Sequence, residues 1–232
     1  MKTIITLDDK KFNDQYYHAA HVEIIDENEV RASKYIDVDD LLVALNKGIA
    51  KEDRTYYIGK LPQNYYDGSI RRSDSGHLDA DVILTIPKNK MRTVYEDTEY
   101  MIPYPALLFK FKIRKNRISE TQVYALKGNR WDDKSILFNY PFGNVNTHSH
   151  IVCWGSNSLP EITELRKLDV VCSLFYNAPC NNDYFSMERS TKLKYSNVRG
   201  LFEKIKDTEQ FPEEILVKSD RGNIGNLIKN LK

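Results

Sequence analysis

Beyond residue 80 the spacing of apolar residues changes from strand-like to helical after Cys153, and that change restricts the folds open to the chain. From residue 81 to residue 140 the period is two. Leu107, Phe109, Phe111 and Ile113 alternate with Leu108, Lys110, Lys112 and Arg114, as in a strand with one apolar face on a core and lysines outside. Pro103 and Pro105 force an extended entry into it. A turn at residues 115–117 leads to a return strand, where Thr121, Val123 and Ala125 alternate with Gln122, Tyr124 and Leu126, and residues 136–140 make another strand. Earlier, residues 82–86 read as a strand, with 91–95 as its hairpin partner across 87–90. Connections this short join antiparallel neighbours. Beyond Cys153 the period becomes helical, and Ile162, Leu165, Leu168, Val171, Phe175 and Ala178 form one stripe. Ser158 and Glu161 fit a capping box there, with Pro160 in the first turn. The expected class is α+β, a four-stranded antiparallel meander with a helix packed across it.

The flanking sequence is less regular. Residues 2–7 and 16–25 read as strands, with a turn at 26–28. His18 and His21 fall on opposite sides of the second strand, which argues against a shared ligand role. Asp37 caps a short helix marked by Val38, Leu41, Leu42 and Leu45, and Gly48 ends it. Residues 56–58 are followed by a tyrosine-rich turn closing at Gly68, and 71–77 read as an exposed loop. The tail carries amphipathic helical pieces around 198–205 and 213–217, and Arg221 to Gly225 reads as a helix break. This divides the chain into an N-terminal extension (1–80), a core (81–185) and a C-terminal helical tail (186–232).

Composition narrows the functional classes. Thirty-four Lys and Arg stand against 33 Asp and Glu, so there is no electrostatic case for nucleic acid or an anionic membrane. Cys153, Cys172 and Cys180 are too few and too odd for a disulfide framework and suit a reducing compartment. No Cys-x-x-Cys or Cys/His spacing suggests zinc, and no metal or soluble cofactor is expected. The first residues reach charge too soon for a signal peptide, and no apolar run has the length of a membrane span. The expectation is a soluble, cytoplasmic protein.

Chemistry concentrates in residues 140–155. A turn-forming Pro141-Phe142-Gly143-Asn144 precedes a short apolar run that ends at Cys153, Trp154 and Gly155. A cysteine at the mouth of a loop is a potential nucleophile, because thiolate is the most nucleophilic side chain near neutral pH. A fixed amide such as Asn144 can donate to the oxyanion that forms in acyl exchange. From the residues alone, a small buried hydrophobe is the commoner role for a free cysteine. A Cys–His hydrolase using His148 or His150 is a further reading, weakened because a general base normally comes from elsewhere in the fold. Cys172 belongs to the apolar helical stripe and reads as structural, whereas Cys180, in the loop beyond, reads as open to solvent.

These residues resemble ubiquitin-conjugating enzymes, in which a His-Pro-Asn motif is followed shortly by the active cysteine. Phe142, Gly143 and Asn144 stand where that motif would be, and Ile151-Val152-Cys153-Trp154 matches the cysteine segment, nine residues after Asn144. The motif's histidine and proline are replaced by Phe142 and Gly143. Residues 168–179 look like the helix and loop that follow in those enzymes. Residues 102–109, 124–127 and 140–142 are similar to a bacterial branch of the superfamily, the PRTRC system protein B family. The resemblance covers about residues 80–185. It implies an acyl carrier that takes a ubiquitin-like modifier as a thioester on Cys153 and passes it to an amine or thiol. Asn144 would hold the oxyanion. In the 177–184 loop Asp183, or its neighbour Asn182, matches the acidic residue that orients an incoming lysine. The helix begun at Asp37 would stand in for the family's N-terminal helix. The implied partners are a ubiquitin-like protein, a ThiF-type adenylating enzyme and a JAB-type peptidase. The alternative is a non-catalytic module of the same fold that binds a ubiquitin-like partner, which Gly143 and the apolar neighbours of Cys153 favour.

Overall fold

The structure is a computed structural model, and it describes residues 2–7, 19–27, 29–48, 59–72, 76–229 and 231. Contacts group the chain into two units, Met1–Tyr56 and Tyr57–Lys232. In the first, β1 (Lys2–Thr6), β2 (Ala19–Asp26) and β3 (Glu29–Asp37) form an antiparallel sheet in chain order. Glu27 takes a positive φ at the turn between β2 and β3. The strand after that turn was not expected. It pairs with β2 from Asp26↔Glu29 to Ala19↔Asp37 and runs directly into α1 (Val38–Gly48). The Asp37 carboxylate accepts the Asp39 N–H at 2.8 Å, which satisfies one free donor at the helix start. The expected strand residues 16–18, including His18, and the 56–58 run lie outside the described residues.

The second unit is built on a sheet of six strands rather than four. β4 (Tyr65–Arg72) and β5 (Leu78–Ile86) pair first, so a strand replaces the expected tyrosine-rich turn and the beginning of the expected loop. Gly68 is a close-approach residue, not a turn residue: a Cβ there would meet the Asp81 carbonyl of β5 at 2.7 Å. β6 (Asn89–Tyr95) pairs with β7 (Thr98–Tyr104) and not with β5, a correction to the expected hairpin. The reason lies in the sheet, because β5 already has β4 on one edge and β8 (Ala106–Arg114) on the other. β8 returns through Lys115 and Asn116, both at positive φ, into β9 (Arg117–Leu126), a two-residue hairpin that matches strand twist. β10 (Ile136–Asn139) follows on the far edge of β9.

The helical stripe begins later than its spacing suggests. Glu161 accepts from the Asn116 amide at 3.0 Å, and the Ile162 N–H bonds the Asn116 carbonyl at 2.7 Å. Held by the β8–β9 turn, this stretch stays non-helical and the capping box does not form. A 3₁₀ turn at Leu165–Lys167 leads into α2 (Leu168–Asn177). Leu168, Val171, Cys172 and Phe175 are buried there, and the Phe175 ring meets Phe109 edge-on at 5.2 Å. α3 (Val198–Ile205) falls where its amphipathic pattern predicts, capped by the Asn197 side chain on Gly200 N–H.

The chain ends with β11 (Lys218–Asn223), which pairs with β10 at the sheet edge, and α4 (Ile224–Lys229). The expected helix break at Arg221 to Gly225 is thus a strand-to-helix junction, with Gly222 at φ +77. Ile224, Leu227 and Leu231 cover Ile83, Leu108, Tyr124 and Leu137 on the face opposite α2. Leu108, expected outside, is therefore fully buried, while Lys110 and Lys112 lie beyond that cover. Among the described residues no helix is long and apolar enough to cross a membrane. Because Leu227 closes this second core, Leu227→Ala should destabilise the protein by about 2–5 kcal/mol in denaturant unfolding. A change within about 0.5 kcal/mol would mean that α4 adds little to the fold.

Candidate active site

The ten residues from Asn144 to Cys153 form a small closed hairpin. The Cys153 N–H bonds the Asn144 carbonyl at 2.8 Å, Val145 bridges Val152, and Asn146 N–H bonds the Ile151 carbonyl at 3.0 Å. At the tip, the Asn146 side-chain oxygen accepts from the N–H groups of His148 and Ser149, an Asx turn that lets the chain reverse. Bonds from Val123 N–H to His150 and from Val152 N–H to Thr121 pin the hairpin to β9. The nine-residue step between Asn144 and Cys153 is thereby reduced to two facing backbones.

Asn144 uses four polar groups to hold its surroundings. Its N–H bonds the Asp183 carbonyl at 2.7 Å, and its carbonyl takes the Cys153 N–H. Its amide nitrogen donates to the Pro179 carbonyl at 2.8 Å, and its amide oxygen accepts from Asn181 N–H at 3.3 Å. Asn144 sits at φ +67, in the left-handed region that asparagine tolerates better than most residues. Next to it, a Cβ on Gly143 would collide with the Asn181 carbonyl, so only glycine allows the loop after α2 to lie this close.

The structure therefore joins the three residues singled out from sequence through one run of backbone bonds, Asp183 to Asn144 to Cys153. The Asp183 carboxylate is exposed and accepts from the Asn181 amide at 2.9 Å. Asn182 is engaged elsewhere: it donates to the Tyr95 hydroxyl at 2.7 Å and accepts from Val198 N–H at the start of α3.

Of the three cysteines, Cys153 alone is exposed. It opens on a narrow pocket whose walls include Tyr104, Tyr140, Trp154, Phe175 and Cys180. Cys172 is buried on α2, and burial pushes its thiol pKa far up. Cys180 corrects the expectation of a solvent-open thiol. Its N–H bonds the Val94 carbonyl in a parallel bridge beside Tyr95, which tucks it into the pocket wall. Burial pushes its pKa up to about 12, partly offset by a hydrogen bond from Gly143 N–H. Trp154 was not singled out from the sequence, although its place next to Cys153 was a usable signal. Its ring stands edge-on to Phe175 at 6.2 Å, and its indole N–H is sealed from solvent without an acceptor.

Neither nearby histidine lines this pocket. His150 is fully buried and tilts over Tyr124 at 4.4 Å, and Tyr124 belongs to the opposite face of the sheet. Its Nε2 lies 3.3 Å from Asp220 and 3.1 Å from the Ser219 hydroxyl. Burial lowers its pKa from 6.5, against the pull of Asp220 and with a smaller push from Arg221 and His148. His148 packs against the Arg189 guanidinium. The arrangement offers an exposed thiol, a polar loop and aromatic walls, with no imidazole at the sulfur among the described residues.

A family model described as prokaryotic E2 family D matches residues 80–219, from β5 into β11. No curated protein and no solved structure matches the chain.

Two outcomes follow from this geometry. Gly143→Ala should push the 178–184 loop off the hairpin and lower the melting temperature, while labelling of Cys180 by maleimide in the native state should rise. Continued protection of Cys180 in that variant would show that the close approach is not needed. The second outcome concerns pH. A depressed folded pKa means that His150 resists a proton that the unfolded chain accepts below about 6.5. Stability linked to this group is complete above that pH and is lost as pH falls toward the folded value. The melting temperature should drop more between pH 7.5 and 5.5 in the parent than in His150→Gln; equal drops would rule His150 out as the source.

Proposed function

The chain belongs to the prokaryotic E2 family D, a family of ubiquitin-conjugating-like proteins, and on that premise we propose that it carries a ubiquitin-like modifier as a thioester on Cys153. The observation that carries this reading is the placement of one exposed thiol at a pocket mouth, backbone-bonded to Asn144. Thiolate Cys153 attacks the activated C-terminus of the modifier, and one thioester replaces another with little change in bond energy. An amine or a second thiol then takes the acyl group. Asn144 fixes the overhanging loop, and the second N–H of its amide, beyond the one given to Pro179, serves the oxyanion. Asp183, held in the same loop, positions the incoming amine. Within the family, the reading follows the PRTRC system protein B branch, with a ThiF-type adenylating enzyme as donor and a JAB-type peptidase in the same cytoplasmic system.

A second reading, a non-catalytic module that binds a ubiquitin-like partner, draws support from the Asn144 side chain, whose oxygen and one N–H are both committed to loop backbone. Loading separates the two. Incubated with the adenylating enzyme, modifier and ATP, the protein should form an adduct that thiols cleave. Cys153→Ser should give no adduct or only a thiol-resistant ester. A protein that binds the modifier but never forms the thiol-labile adduct is the binding module.

A further inference from the structure

Asn182 sits between the two loop residues that hold Asn144 on either side. The Asn181 N–H donates to the Asn144 amide oxygen at 3.3 Å, and the Asp183 carbonyl accepts the Asn144 N–H at 2.7 Å. The Asn182 side chain is bonded to different elements. Its amide nitrogen donates to the Tyr95 hydroxyl at 2.7 Å, at the end of β6. Its amide oxygen accepts the Val198 N–H at 2.9 Å, at the first residue of α3. Tyr95 and Val198 are both buried, and a buried polar group stripped of its partner costs free energy. Tyr95 is itself held by α3, with the Arg199 guanidinium 5.0 Å over its ring and Phe202 edge-on at 6.1 Å.

We propose that Asn182 is a positioning residue for the reaction at Cys153: by clamping the loop to β6 and α3 it fixes the Asn144 amide, which lines the pocket beside the thiol. The proposal rests on the carrier reading above. Asn182 does not line that pocket and acts through Asn144. The Asn144 side chain bonds the Pro179 carbonyl and the Asn181 N–H, so its orientation follows the loop. A fixed donor works by placement, and a misplacement of about 1 Å can cost roughly 10²-fold in rate. In discharge the acceptor amine nitrogen bonds to the thioester carbon and the carbon–sulfur bond breaks. Sulfur leaves as thiolate, and the amine proton passes to water.

The test needs no partner protein. Exchange with phenyl thioacetate places an acetyl thioester on Cys153, the exposed thiol, while Cys172 and Cys180 stay buried. Asn182→Leu keeps the side-chain shape and removes both bonds. Asn182→Asp keeps both, because a carboxylate accepts from the Val198 N–H and from the Tyr95 hydroxyl. Aminolysis of the acetyl group by free lysine should slow about tenfold or more in Asn182→Leu and recover to within about threefold of the parent in Asn182→Asp. The NMR resonances of the Asn144 side-chain amide should shift in Asn182→Leu and keep their parent positions in Asn182→Asp. A merely structural residue would lower the melting temperature without this pattern. Parent-like aminolysis in a folded Asn182→Leu overturns the proposal, as does slow aminolysis with unmoved Asn144 resonances or a failure of aspartate to rescue. If Asn182→Leu does not fold, Tyr95→Phe removes one bond alone. It should slow aminolysis less and shift the same resonances, and parent-like behaviour there also overturns the proposal. Failure of the carrier reading is a separate result: the modifier would not load onto Cys153 even though the acetyl thioester forms and responds as described.

Discussion

Asn144 is the residue through which the candidate site is assembled. Its four hydrogen bonds reach Cys153 on one side and Pro179, Asn181 and Asp183 on the other. Each bond is individually modest, about 1 kcal/mol net, but together they fix two segments that are distant in sequence. The arrangement also needs Gly143, because any side chain there would occupy the space of the Asn181 carbonyl. Glycine at this position therefore has a steric basis in this chain: the loop after α2 lies where any side chain would be.

Beneath the hairpin, the sheet supplies rigidity from both faces. Phe109 meets Phe175 of α2 edge-on, with Phe111 and Val123 in the same core, while Leu108, Tyr124 and Leu137 pack under α4. A hairpin pinned to β9 inherits the stiffness of that doubly covered sheet. The N-terminal unit, with Ala20 and Leu41 buried, has its own small sheet and helix.

Burial also sorts the titratable groups. Cys172 and Cys180 are held as thiols because their charged forms would lie in an apolar interior, and Cys153 is the thiol left in contact with water. Tyr104 and Tyr140, in the pocket wall, are kept neutral for the same reason, with the Tyr104 hydroxyl bonded to Thr93 at 2.7 Å. On the other face of the sheet burial lowers the pKa of His150, against the pull of Asp220. The chemistry available at the pocket is thereby narrowed to one sulfur and the hydrogen-bond donors around it.

The sequence by itself determined what repeats locally. Period-two alternation specified β8 and β9, helical spacing specified α2 from Leu168 and α3, and Asn144 and Cys153 stood out by residue type and spacing. What it could not specify were choices made by distant partners. β6 left β5 because both edges of β5 were taken by strands before and after it. The capping box at Ser158 failed because Asn116 claimed Glu161 and Ile162. Cys180 went inside because Val94 took its N–H, and Leu108 was buried by a helix more than a hundred residues later. Local patterns fix which elements a chain can form, since dihedral preference and amphipathicity act within a few residues. Which edge, bond or face each element finally uses is settled by competition for hydrogen-bond partners and apolar cover, and that competition exists only once the chain has folded.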